Sequence, residues 1–368
     1  DNELHPASDH DLKTGVGFSK LNAHYSSVLN DTTDLMRRNS SASLATVYLQ
    51  DLWHVTDKFD FTAGVHGTYY DRTEQSFVEP RASAIYSLTD YLKFKGAWGR
   101  YHQFVNRITN EDVLEGSRDF WMLTDKDIDA GYAEHWIAGM TLEDSEYLLD
   151  VEGYHKDLGG IVEYTRRASY SRDLLQGLRE NEVSPGTAFF QGTGLSRGID
   201  ILAQKKRGKL TGWIGYSLSR VRYEVPGLNG GRRYPASHDR THEINVVSKL
   251  SLGKWDISAT WVFATGKAYS APESQYYLQL LDDQSQGYIH ISDRNAHRLS
   301  DYHRLDMSVS RNFETTAYEY VIGFSVFNVY DRNNYWYRQF NLDTVPVSIS
   351  DVSMLSMTPT IYFKIYSR

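Results

Sequence analysis

Cysteine is absent from all 368 residues. That excludes a disulfide framework, a thiolate metal site and a thiol nucleophile, and it leaves the redox compartment unmarked. Proline is scarce, at 8, so few strand ladders are interrupted by a missing donor. No run of about 18 apolar residues occurs, which excludes a helical membrane span. Crossing by strands stays open, because each needs only about 9 to 11 residues and every second one meets lipid. The mean hydropathy of -0.52 therefore decides nothing. A basic excess is also lacking: Lys and Arg total 39 against 47 Asp and Glu, a formal charge of -8. Nucleic-acid binding, which needs clustered cations against phosphate, is not expected. The chain opens on Asp1 with no leader segment, as a mature or truncated product would.

What the chain has in excess is aromatic side chains, 14% of the total with 27 Tyr and 8 Trp, a composition that favours strands. Alternation with a period of two runs from end to end. Trp255, Ile257, Ala259, Trp261 and Phe263 alternate with Asp256, Ser258 and Thr260, and Leu305, Met307 and Val309 alternate with Asp306, Ser308 and Ser310. Phe59, Phe61, Ala63 and Val65 repeat the pattern, as do Leu92, Phe94 and Trp98. Helical spacing fits none of these.

The alternation predicts about fourteen strands, seven of them at 10–28, 43–54, 58–70, 78–87, 91–102, 131–143 and 146–166. The other seven fall at 191–206, 209–224, 238–251, 254–266, 300–313, 317–332 and 355–366. The connections sort into two strictly alternating classes. Short turns sit near Asp57, Asp90, Asp144, Gly208, Gly253 and Thr315, and long connections such as 103–130, 167–190, 267–299 and 333–354 fill the gaps. A soluble sandwich has no reason to place every long loop at one end, whereas an outer-membrane barrel has short periplasmic turns and long extracellular loops. Tyr69, Tyr70, Trp98, Tyr101, Tyr330, Trp336, Tyr362 and Tyr366 lie near strand ends, where an amphipathic ring suits a membrane interface. The expected fold is all-β, an antiparallel transmembrane β-barrel, with no linker dividing the chain.

Candidate chemistry is thin. His238 and His242 stand four apart, a spacing that binds zinc on a helix, but along a strand it separates them by about 13 Å. Glu111, Asp112, Glu115 and Asp119 could be imagined as glycosidase carboxylates; a solvated loop, with a short helix over Glu111 to Gly116, is the plainer reading. No G-x-S-x-G elbow occurs, and Gly192, Gly194 and Gly198 lack the helix that a phosphate cradle needs; Gly194 and Gly198 read instead as close backbone approach or a bulge within a strand. Neither a catalytic residue, a metal site nor a cofactor is expected, and the chain is not read as an enzyme. The candidate ligand contacts are Arg118, Phe120, Trp121, Tyr276, Tyr277 and Trp336 in the long loops. There aromatic faces can stack on a ligand and Arg can pair with an anion, unless these side chains pack the loops together instead.

A resemblance carries the reading further. YLQDLWHVTDKFDFTAGV at 48–65, EPRASAIYSLTDYLKFKGAWGRYHQF at 79–104 and NRITNEDVLEGSRDFW at 106–121 are followed by GLSRGIDILAQ at 194–204 and RRYPASHDRTHEIN at 232–245. FATGKAYSAP at 263–272, YHRLDMSVSRNF at 302–313, FNVYDRNN at 327–334 and MTPTIYFKIYSR at 357–368 complete the series. In this order they resemble the barrel region of TonB-dependent outer-membrane receptors, especially of Bacteroidetes type. The resemblance implies a 22-stranded barrel around an amino-terminal plug, so residues 1–368 would form its carboxy-terminal portion, with the plug and first strands outside this chain. A fragment, a receptor divided between two chains and a closed fourteen-stranded barrel all fit the strand count. The implied function is import of a scarce nutrient by TonB-dependent active transport in the cell outer membrane. The implied partners are outer-membrane lipid, a plug domain, a TonB-type energising protein and a surface lipoprotein. The rivals are a passive channel or structural barrel of a larger assembly and, more distantly, a soluble all-β carbohydrate-active enzyme. The transported substrate is not legible.

Overall fold

A computed structural model of the chain describes residues 1–29, 33–110, 118–164, 189–279, 285–341 and 348–367, and their side chains except within 27–38, 109–119, 275, 277–289 and 341–347. Its first strands are β1 (Asn2–Ala7), β2 (His10–Leu29), β3 (Thr33–Thr56), β4 (Phe59–Tyr70), β5 (Gln75–Ser87), β6 (Leu92–Gln103), β7 (Val105–Asn110) and β8 (Arg118–Leu123). Then come β9 (Gly131–Glu143), β10 (Tyr147–Tyr164), β11 (Phe189–Lys205), β12 (Leu210–Glu224), β13 (Tyr234–Pro235), β14 (His242–Leu252), β15 (Trp255–Ala264) and β16 (Ala268–Tyr269). The last are β17 (Pro272–Gln279), β18 (Ser285–Ile291), β19 (His297–Arg298), β20 (Tyr302–Glu314), β21 (Tyr318–Phe327), β22 (Tyr335–Asn341), β23 (Ser348–Ser353) and β24 (Thr358–Ser367).

Fourteen of them form the wall: β2 to β6, β9 to β12, β14, β15, β20, β21 and β24. Each pairs antiparallel with the next. These are the fourteen segments that the alternation predicts. The short β1 adds an edge to β2, and among the described residues no pairing joins β1 to β24, so the sheet is an open wall.

The register shows which face meets which solvent. One ladder row crosses nine strands as Phe59, Tyr86, Phe94, Met140, Val151, Ile201, Tyr216, Ile244 and Phe263. The neighbouring row, one residue along and on the opposite face, reads Lys95, Gly139, Glu152, Asp200, Ser217 and Glu243. The apolar face is the uncovered one: Val16 is 83% exposed, Phe18 74% and Ile361 79%. Such a patch is unfavourable in water by roughly 25 cal/mol per Å² and is at home in a bilayer, so the apolar band faces lipid and the polar face lines the lumen.

Three expectations are revised. The two classes of connection do not alternate strictly, because β4 and β5 are joined at the loop end by four residues, Asp71 to Glu74. Asp71 accepts a 2.7 Å bond from the Ser43 amide, and Glu74 takes a left-handed φ of 58°. In addition, the ladder between β2 and β3 continues to Leu29 and Thr33, where a long loop was expected. Finally, His238 precedes β14 rather than lying in it. The expected helix at Glu111 to Gly116 lies outside the described residues.

The tyrosines serve a second purpose besides the interface. Tyr48, Tyr132, Tyr154, Tyr223 and Tyr362 each lie directly opposite a glycine on the next strand: Gly15, Gly159, Gly198, Gly194 and Gly323 in turn. A Cβ on Gly198 would stand 2.6 Å from the Tyr154 hydroxyl, and one on Gly194 would stand 2.9 Å from Tyr223 Cδ1. The missing side chain is the space into which the ring lies.

Candidate functional site

At the long-loop end the connections fold over the lumen. The β7–β8 hairpin and the loop after it bring Ile108, Phe120, Met122 and Ile128 onto Val162 and Tyr164. Leu123 and Phe104 pack with Ala42, Leu44 and Tyr70, which are lumenal by register. Two small hydrophobic cores thus fasten this hairpin across the barrel mouth. Tyr70, expected at the membrane interface, is fully buried because it closes this contact.

Polar clamps fasten the remaining loops. Buried Arg294 pairs with Glu163 through Nη2, donates to the Tyr164 carbonyl at 3.4 Å, and its backbone amide donates to Asn229 Oδ1 at 2.8 Å. Asp239, 1% exposed, pairs with Arg298 and accepts a 2.6 Å bond from the Val221 amide. Asn295 donates to the Pro235 carbonyl at 2.8 Å and takes a φ of 55°, a conformation that Asn tolerates. Across the β22–β23 hairpin Arg338 makes a bidentate pair with Asp351, 2.6 Å from Nε and 2.8 Å from Nη2, and donates to the Tyr269 hydroxyl at 3.2 Å. The bond from Arg338 holds the Asp351 carboxyl below its ordinary value.

These elements enclose a cavity of about 1110 Å³, lined among others by Arg107, Tyr132, Lys267, Tyr269, Trp336 and Arg338. Its walls carry charged heads, of which Arg338 is already paired with Asp351, beside ring faces on which a ligand can stack. Among the described residues no three His, Asp or Glu side chains stand together as a metal site. His242 is 3.0 Å from the Tyr216 hydroxyl.

Of the six candidate contacts, Trp336 is 60% exposed and lines this cavity. Trp121 and Tyr276 are exposed at 58% and 49% and are not among its lining residues. Phe120 is 4% exposed and packs edge-on to Tyr164 at 5.7 Å, so its ring is occupied by loop packing. The side chains of Arg118 and Tyr277 lie outside the described residues. Arg338, Tyr269 and Lys267 were not singled out from the sequence. The run of three rings from Tyr335 to Tyr337 directly before Arg338 is the signal that could have placed Arg338 beside an exposed ring in a loop.

A family model described as TonB dependent receptor-like, beta-barrel, matches residues 1–329. No curated protein matches the chain by sequence. Among solved structures, the ferripyoverdine receptor of the outer membrane of Pseudomonas aeruginosa is 12% identical with a TM-score of 0.60, over 98% of this chain and 46% of that one. The ferric yersiniabactin uptake receptor FyuA from Yersinia pestis is 14% identical at a TM-score of 0.60, over 99% and 52%. The ferric-catecholate import receptor Fiu from K12 E. coli is 12% identical at 0.61, over 98% and 52%. The likeness is one of fold, and this chain spans about half the length of the structures it matches.

Proposed function

This chain belongs to the TonB-dependent receptor-like β-barrel family, a family of outer-membrane receptors rather than enzymes, and on that premise we propose that it is part of a receptor importing a scarce nutrient by TonB-dependent active transport. Residues 1–368 supply barrel wall and loops. The plug and first strands come from outside them, whether upstream or on a separate chain, and a TonB-type protein supplies the driving force. The order of its motifs resembles Bacteroidetes-type members, for which a surface lipoprotein would cap the loops.

One observation carries this reading: a loop-roofed cavity with Arg107, Lys267, Arg338 and exposed Trp336 on its walls, set above a polar lumen. Ring faces such as that of Trp336 stack on conjugated surfaces, and ferric chelates are the cargo named for the ferripyoverdine, ferric yersiniabactin and ferric-catecholate receptors, so a ferric chelate is the cargo assigned here. Trp336 is the contact we place first, with Trp121 and Tyr276 meeting the ligand earlier, together with Arg118 and Tyr277.

The test is uptake by cells carrying the full receptor, offered ferric chelates and, separately, oligosaccharides and peptides. Accumulation of a chelate that stops when the proton gradient or the TonB-type protein is removed supports the proposal. Uptake that persists without the gradient identifies a passive channel, and accumulation of a neutral sugar alone refutes the chelate assignment.

A further inference from the structure

We propose that the outward face of β10, β11 and β12, at its loop end, binds the phosphorylated headgroup of an outer-leaflet lipid. Arg197 and Arg220 lie directly opposite each other on adjacent strands, and His155 lies directly opposite Arg197 on the other side. By register Arg197 shares the face of Ile199 and Ile201, and Arg220 that of Leu218 and Ile214, so both arginines belong to the lipid-facing side. Both are exposed.

Like charges placed directly opposite on a sheet are unfavourable, and a second cation, Arg222, follows on the same face of β12. Two acids share this face nearby, and each has its own partner. Asp157 stands 3.4 Å from His155, and Glu224 accepts a 2.8 Å bond from Arg233. Among the described residues no carboxylate lies within ion-pair distance of Arg197 or Arg220, so the charge is left for something outside the chain.

Height identifies what that is. Arg197 is eight residues above the periplasmic end of β11 at Lys205, roughly 26 Å along the strand and about 20 Å along the membrane normal for a tilted strand. That lies within the outer part of an apolar band about 25 Å tall, and Arg220, ten residues above Leu210 on β12, stands roughly 33 Å along its strand or about 25 Å along the normal, at the band's outer edge. Trp136, 53% exposed and directly opposite His155, marks the same boundary in the manner of an interfacial ring. Ile199 and Leu218, one step toward the periplasm, are exposed apolar surface on which acyl chains would lie while the arginines reach the phosphates in bidentate fashion. Charge complementarity and depth together favour a lipid phosphate over a soluble anion.

The test uses the full receptor purified from membranes, titrated in detergent with a bisphosphorylated acyl-diglucosamine lipid or its dephosphorylated form and read by native mass spectrometry. The wild type is expected to prefer the phosphorylated lipid at least tenfold. R197Q/R220Q should lose that preference, R197K/R220K should keep most of it, and R311Q, changed at the opposite rim beside Trp255, should leave it intact. Ten-millimolar inorganic phosphate should not displace the lipid. An unchanged preference in R197Q/R220Q, equal loss in the lysine and glutamine variants, or displacement by inorganic phosphate would overturn the assignment.

Discussion

Tyr70 ends β4 with its hydroxyl donating a 2.8 Å hydrogen bond to the carbonyl of Thr124, while its ring stacks on Phe104 at 4.8 Å. A single side chain thus ties the wall to the hairpin that crosses the barrel mouth. Tyr70→Phe keeps the packing and leaves a buried carbonyl without its donor, which costs about 1 to 3 kcal/mol. Hydrogen exchange should therefore quicken roughly 5- to 150-fold in β7 and β8 and stay unchanged in β14 and β15, since RT at room temperature makes 1.4 kcal/mol a factor of ten. Equal protection in the variant would show that the hairpin is held by its apolar cores alone.

The Arg338–Asp351 pair sets a pH limit for the β22–β23 hairpin. Hydrogen bonding from Arg338 holds Asp351 below its ordinary value of 3.8. A lowered folded-state value means that the contribution is fully present above about 3.8 and is lost as pH falls through the folded value. The partner shift raises Arg338, and its loss lies beyond any workable alkaline pH. Trp336 fluorescence should therefore be flat from pH 8 to 5 and change only below about 4. Asp351→Asn should abolish that acid transition, and a midpoint near 6 would point to a histidine instead.

The wall was legible in the sequence because a strand half in lipid and half in water must alternate. Trp255 to Phe263 and Leu305 to Val309 do so without interruption, and the structure places both in one register. The loop hairpins were not legible. The β7 and β8 segments bury one set of side chains in cores built from distant strands, so Phe120 resembles an exposed loop ring until Tyr25 and Tyr164 are brought against it. The β2–β3 extension was hidden by Asn39, Ser40 and Ser41, which read as turn residues although the ladder runs through them. The cavity depends on loops separated by up to about 230 residues, from Arg107 to Arg338, and no local pattern encodes their meeting.

The glycines opposite tyrosines should be intolerant in proportion to the space the ring takes. Gly198→Val places a branched side chain where the Leu218 carbonyl and the Tyr154 hydroxyl stand 2.5 and 2.6 Å from a Cβ. The displaced ring and backbone shift should cost about 1 to 3 kcal/mol, visible as a lower midpoint in urea unfolding of the barrel from vesicles. Pairing Gly198→Val with Tyr154→Ala should recover part of that loss. If the double variant is less stable than either single change, the ring is not what the glycine accommodates.

The assignment of faces can be tested on one strand. Val16 and Ser19 both lie within β2 and differ in parity. Val16 stands on the apolar face at 83% exposure, while Ser19 faces the lumen. Val16 is six residues above His10, roughly 20 Å along the strand, which tilt reduces to about 15 Å, near mid-bilayer. An arginine there must place its charge in hydrocarbon, costing about 2 to 4 kcal/mol, whereas a lumenal arginine stays in water. Val16→Arg should therefore lower the unfolding free energy measured in vesicles by that amount, and Ser19→Arg should change it little. The two variants should behave alike in a soluble β-sandwich with water on both faces, and a larger loss for Ser19→Arg would mean that the lumen and lipid faces have been exchanged.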